Sequence, residues 1–114
     1  MSTTTPSYDL YSELTIKTAA LDKCIKQLRQ TGTAYAEAER DYKVLLRTEA
    51  MKLRDEGMAI GMIDKVIYGI PSVAEKRFQR DIASTIYEAN KEAIQSIKLQ
   101  MRLIDNQIQR EWQG

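Results

Sequence analysis

From Ser72 to Trp112 the chain contains neither glycine nor proline, and its apolar residues return every three or four positions. They are Phe78, Ile82, Ile86, Ala89, Ala93, Ile97, Met101, Ile104, Ile108 and Trp112. That spacing draws one face of an α-helix and fits no strand. Pro71 stops the preceding element, and Ser72-Val73-Ala74-Glu75 reads as a capping box, with Ser72 as N-cap and Glu75 reaching back to it. A helix over 72–112 would be roughly 60 Å long at 1.5 Å per residue. A compact globule of 114 residues is only about 35 Å across. The sequence therefore predicts a chain that is elongated, or assembles with copies of itself, or both.

The first half of the chain repeats the pattern. A helix is expected to begin near Pro6 or Ser7, where proline is tolerated and serine caps. Tyr11, Leu14, Thr18, Leu21, Ile25 and Leu28 then form a heptad seam. Gly32 could end this helix in a left-handed cap, or merely weaken it by about 1 kcal/mol relative to alanine. Phase favours continuation. The same steps carry on through Gly32, Tyr35, Glu39, Tyr42, Leu46, Glu49 and Leu53, and a true turn has no reason to preserve them. The reading is one helix over about 7–56, with a candidate break at 31–33. Lys52 and Arg54 suit its negative end, and Gly57 follows as the residue that leaves the helix. A short, strongly apolar helix is expected over about 60–68, ended by Gly69, before the last helix over about 72–112. Residues 1–6 read as a disordered lead-in to a single helical domain, 7–114.

These elements predict an all-α protein: a long, coiled-coil-like antiparallel hairpin with a short apolar helix at its tip. Two helices leave apolar surface uncovered when each seam needs more than one neighbour, and the last helix has a second apolar set in Ile94, Leu99 and Leu103. A homodimer or larger homo-oligomer is expected, held through Ile97, Met101, Ile104, Ile108 and Trp112.

Catalytic equipment is sparse. The chain has no histidine, which removes the usual general base, the usual triad and most zinc sites. Cys24 is the single cysteine and has no histidine to activate it, so a small, partly buried side chain is the expectation there, in a reducing compartment. The glycines fit neither standard phosphate-loop spacing. Glu37 with Asp41, and Glu88 with Glu92, are read as solvated faces with no convergent partner for a metal. No enzyme activity, cofactor or metal is expected. Neither a membrane span nor a signal peptide is present in the sequence, which suggests a cytoplasmic protein.

Seventeen Lys and Arg against sixteen Asp and Glu leave a net charge of +1, too little for a dedicated electrostatic nucleic-acid binder. Two local features keep nucleic acid or a nucleotide in view. The section from Leu53 to Arg80 has the outline of a helix-turn-helix, with Arg47, Lys52, Arg54, Lys65, Lys76, Arg77 and Arg80 as nearby cations, although Glu49, Asp55, Glu56, Asp64 and Glu75 are interleaved and the expected recognition helix holds only Lys65. Lys76, Arg77 and Arg80 gather in the first turns of the last helix, where the dipole is already positive, so that an anion would be welcome unless Glu75 and Asp81 neutralise them. The aromatic residues fall mostly on the seams and read as packing anchors rather than base-stacking platforms.

Four segments resemble, in their order and spacing, a family of small helical accessory proteins of tailed bacteriophages and prophages of Gram-positive bacteria. They are Ala36-Glu37-Ala38-Glu39-Arg40-Asp41-Tyr42-Lys43, Leu53-Arg54-Asp55-Glu56-Gly57-Met58, the run from Val73 to Ala83, and Ile108-Gln109-Arg110-Glu111-Trp112. The resemblance covers about residues 10–112. It implies an accessory protein made in the bacterial host's cytoplasm, and it supplies no catalytic residues. Together with the lack of catalytic equipment it suggests a non-enzymatic binding module, one that blocks a host factor or an antiviral defence. The alternatives are a DNA-binding protein of phage replication or recombination, and an oligomeric sponge for a nucleotide signal.

Overall fold

A computed structural model of the chain describes the backbone of residues 7–113 and the side chains from Asp9 onward. The expected disordered lead-in, 1–6, lies outside the described residues, as does Gly114. The described chain is almost wholly helical and contains no strand. Helix α1 spans Ser7–Asp55, α2 spans Ile60–Val66 and runs into a single 3-10 turn at Ile67–Gly69, and α3 spans Pro71–Gln113.

Helix α1 passes through Gly32 without a break. The glycine is there for proximity. A Cβ built on it would stand 3.2 Å from Cε1 of Tyr87 on α3, closer than ordinary packing allows, so the missing methyl lets the ring lie against the helix backbone. At its other end α1 closes as the sequence indicates. Gly57 takes a positive φ of 90°, its N–H donates to Arg54 O, and the N–H of Met58 donates to Leu53 O. This is a Schellman motif with Gly57 at C′, and Leu53 and Met58, its apolar pair, both pack on the same buried cluster.

The start of α3 differs from the expected capping box. Ile70, extended at φ −67° and ψ 125°, is the residue outside the helix, and its carbonyl accepts the Ala74 N–H. Pro71 is therefore the first helical residue and Ser72 lies inside the first turn. Proline's fixed φ suits that position and its lack of an N–H costs nothing there, which outweighs the hydroxyl cap Ser72 could have offered. Glu75 accepts instead from Gln79, one turn on.

Contacts gather the chain into two compact units, and α1 and α3 each contribute a segment to both. In the unit Gln30–Glu88, Tyr42, Ile63, Ile67 and Val73 are buried together, with Leu45, Leu46, Ala50, Leu53, Met58 and Ile70 packed around them. Val73 is fully enclosed. The α2 helix thus closes the hairpin between α1 and α3 with its apolar side inward. Further along the same unit, Arg80 lies over the ring of Tyr42 and Tyr87 stacks on Tyr35 at 5.9 Å between centroids. Seven residues along α1 thus meet seven residues back along α3, the register of an antiparallel heptad pair.

The second unit joins Met1–Arg29 to Ala89–Gly114. There Leu10 is buried with Ile104 and Ile108, supported by Leu14, and the side-chain amide of Asn90 donates to the carbonyl of Cys24 at 3.0 Å. Cys24 is half-buried, as expected of a small packing residue.

The apolar stripe on α3 does not face α1 along its whole length. At Ile104 and Ile108 it does, both buried against Leu10. In the unit Gln30–Glu88, however, Val73, Arg80 and Tyr87 take the inner positions, and Phe78, Ile82 and Ile86 are left 59%, 44% and 53% exposed. Seven-residue spacing of 73, 80 and 87 selects a different side of the helix from the four-residue spacing of 78, 82 and 86. The inner side is the one with tyrosine partners on α1.

Candidate functional site

The cations singled out in the sequence divide into those engaged within the chain and those that are not. The Arg80 guanidinium hydrogen-bonds Asp81 through Nε at 3.1 Å and Nη2 at 2.8 Å, and lies 4.6 Å from the centroid of the Tyr42 ring. The bond to Asp81, helped by that carboxylate's charge, raises the guanidinium's pKa further, against the opposing effect of burial, so it remains a cation throughout the pH range of folded proteins. Arg77 sits 5.2 Å from the centroid of Tyr68, and Lys76 is half-buried. The first turns of α3 thus direct two arginines onto aromatic faces. Lys65 is exposed on α2.

Arg54 belongs to a different arrangement. Together with Arg47 and Met51 it occupies one face of α1 at i, i+4 and i+7. Across from them α2 presents Ile60, Ile63 and Asp64, and the two helices enclose a cleft of about 390 Å³ with Ala50 in its lining. Two of its apolar side chains are unusually open to solvent for their type, Met51 at 59% and Ile60 at 62%. Arg47 and Arg54 have no ion pair among the described residues. On the neighbouring side Lys43 and Tyr68 extend the lining past Arg47. The cleft pairs an apolar floor, flexible at Met51, with two arginine forks that present donors and accept nothing.

A second groove, about 400 Å³, lies between α1 and α3 within the unit Gln30–Glu88. Its lining is Gln30, Thr31 and Ala34 from α1, and Gln79, Ile82, Ala83 and Ile86 from α3. No charged residue lines it.

Of the residues expected at a surface between copies, Ile104 and Ile108 are buried within the chain against Leu10, and Ile97 and Met101 are half-buried. Trp112 is 76% exposed. Among the described residues no group of three or more acidic or thiol side chains is placed to hold a metal ion, and no helix is long and apolar enough to cross a membrane.

The sequence placed Arg47 and Arg54 among the cations near the helix-turn-helix outline but did not group them with Met51 and Ile60. The spacing of Arg47, Met51 and Arg54 was available in the sequence. That Ile60 and Asp64 lie opposite them depends on the turn at Gly57, which folds α2 back onto α1. Compared with known protein families, curated proteins and solved structures, the chain matches none.

Proposed function

We propose that this chain is a non-enzymatic, oligomeric helical binding module, and that it holds a protein partner through the cleft between α1 and α2. The observation that carries this reading is the pair of arginines without ion pairs among the described residues, Arg47 and Arg54, flanking the exposed Met51 and Ile60. Two exposed guanidinium forks beside an apolar floor, against the single carboxylate of Asp64 in the same lining, are complementary to an amphipathic segment that carries acidic residues on either side of an apolar anchor. Such a segment, laid in the cleft as a helix, would leave its carboxylates bidentate to arginine and its anchor against Met51. The phage setting, with a host factor or antiviral defence protein as the partner, rests on the resemblance of the four segments described above.

A photo-crosslinking residue placed at Met51, in protein produced in bacterial cells, tests the reading. It should give one discrete adduct that disappears when Arg47→Glu and Arg54→Glu are added, while the same residue at Thr15 gives none. The identified partner should then bind the purified chain at least ~10-fold more weakly when Arg54 is reversed to Glu, the cost of a lost charge-assisted pair. No adduct at Met51, or one indifferent to both arginines, would sink the proposal. Retention of a DNA duplex at low salt that collapses as salt rises, lost in the same double variant, would replace the protein partner by nucleic acid.

A further inference from the structure

We infer that the occupant of the arginine-flanked cleft is an α-helix of a partner protein with opposite charges on its two flanks. Two carboxylates seven residues apart face α1, and a cation on the other flank faces α2. This rests on the reading of the cleft as a protein-binding site, and it specifies the conformation and charge pattern that the site selects.

The cleft is one part of a longer groove. The stretch that holds Met51, Arg54 and Ile60 and the stretch that holds Lys43, Leu46 and Tyr68 share Arg47, Ala50, Ile63 and Asp64. The groove therefore follows α1 from Arg54 back to Lys43, roughly 16 Å at 1.5 Å per residue, or about three helical turns.

Its two walls differ in charge. Lys43, Arg47 and Arg54 line the α1 wall. Lys43 has Glu39 as a partner at 3.5 Å, whereas the two arginines have no ion pair among the described residues. On the α2 wall the charged side chain is Asp64, which is exposed and lines both stretches. Between the walls the floor is apolar, with Ala50 and the buried Ile63 in it. A helix acidic all round would set carboxylates against Asp64, and a basic one would set cations against Arg47 and Arg54. A helix charged oppositely on its two flanks meets both walls. A nucleic-acid strand does not, because its phosphates are negative toward either wall.

Spacing and floor select a helix rather than an extended segment. Arg47 and Arg54 lie seven residues, about two turns, apart on one face of α1. Carboxylates at the same interval on a helix laid along α1 match them. An extended segment would press backbone N–H and C=O groups onto the side chains of Ala50 and Ile63, which offer no hydrogen bond. A helix closes those bonds within itself. Ala50 stands between the two arginines in sequence, and its small side chain lets a facing helix come close.

Fluorescence anisotropy of the full chain with designed peptides tests this pattern. The reference peptide is a labelled helix of about five turns with two Glu seven residues apart, leucines on the adjoining face and Lys on the flank beyond. A lactam closed across its outer face should tighten binding, because a pre-formed helix loses less freedom. Moving one Glu so that the acids are five apart turns it about 140° around the helix and should weaken binding at least ~10-fold. Arg54→Glu should weaken the reference peptide by a similar factor and be rescued by Glu→Lys at the facing peptide position; Asp64→Lys should be rescued by Lys→Glu in the peptide. Both residues are exposed, so helicity by circular dichroism should stay unchanged in either variant. Binding that needs Arg47 and Arg54 but ignores acid spacing and Asp64 would overturn the pattern and leave the protein-binding cleft standing. Weaker binding of the lactam-closed peptide would mean an extended occupant and overturn the helix. No binding of the reference peptide at 200 µM would overturn this inference even where a Met51 adduct upholds the cleft, and no binding together with no adduct would overturn both.

Discussion

Tyr42 and Gly32 show how single residues fix the register of α1 on α3. Tyr42 is buried to 5% exposure and has the Arg80 guanidinium over its face. A cation above a largely covered ring is worth on the order of 1 kcal/mol, and the arginine's side chain is 24% exposed, so water does not screen it fully. A double-mutant cycle of Tyr42→Leu and Arg80→Met, followed by urea unfolding, should return a coupling of about 1 kcal/mol. Coupling near zero would mean that the arginine is held by Asp81 alone. At Gly32 two effects oppose each other. Alanine gains about 1 kcal/mol of helix propensity, yet its methyl would meet Tyr87 at 3.2 Å, and that ring is stacked on Tyr35. Gly32→Ala should therefore give little or no stabilisation in the unaltered chain and regain close to the full amount when Tyr87 is replaced by Ala. An equal gain in both backgrounds would show that the ring shifts freely.

At the scale of elements, the hairpin in the unit Gln30–Glu88 depends on how α1 ends. Gly57 at φ 90° turns the chain so that Met58 and the apolar side of α2 meet α1. An L-residue in that conformation costs roughly 1–2 kcal/mol, so Gly57→Ala should lower unfolding free energy by about that much in denaturant titration. The loss should be felt first in amide exchange of α2, because α2 is the element the turn positions. Ile67, at 4% exposure, lies in the cluster that α2 and its 3-10 turn complete, and Ile67→Ala should cost about 2–5 kcal/mol. A cost below 1 kcal/mol would mean the cluster collapses readily around the gap. The ion pairs Lys26–Asp22, exposed, and Lys43–Glu39, partly exposed, are spaced i, i+4, and each contributes at most about 0.5 kcal/mol.

Among the described residues of the molecule, fifteen large apolar side chains are more than a third exposed. Scattered exposed apolar residues are ordinary, but on α3 three of them form a continuous ridge beside an uncharged groove. If the chain associates with copies of itself as proposed, folding and association are linked, and the apparent melting temperature must rise with protein concentration. Melting curves at about 2 and 200 µM should then differ by several degrees. A melting temperature independent of concentration would argue against association.

Much of the fold was legible because helix signals are local. The absence of Gly and Pro over 72–112, the three- and four-residue steps, the unbroken phase through Gly32, and Gly57 after Lys52 and Arg54 each act within a turn or two of the chain, and each has its counterpart in the long α1 and α3 and in the Schellman turn. The seam on α1 was read correctly from Leu28 to Leu53, but nearer the N-terminus Leu10, Lys17 and Cys24 rather than Tyr11, Thr18 and Ile25 are the covered residues, a slip of one residue that periodicity alone does not resolve. What the tertiary structure decided was which side of α3 goes inward. Hydrophobicity favoured Phe78, Ile82 and Ile86, but the partners offered by α1 in that stretch are two tyrosines. A tyrosine ring accommodates a guanidinium or another ring on its face as well as an aliphatic chain, so Arg80 and Tyr87 could take the inner positions and the isoleucines were left outside. The pairing of Arg47 and Arg54 with Ile60 across a cleft likewise required α2 to fold back on α1. Periodicity determines that a helix has faces; only the neighbouring helix determines which of them is covered.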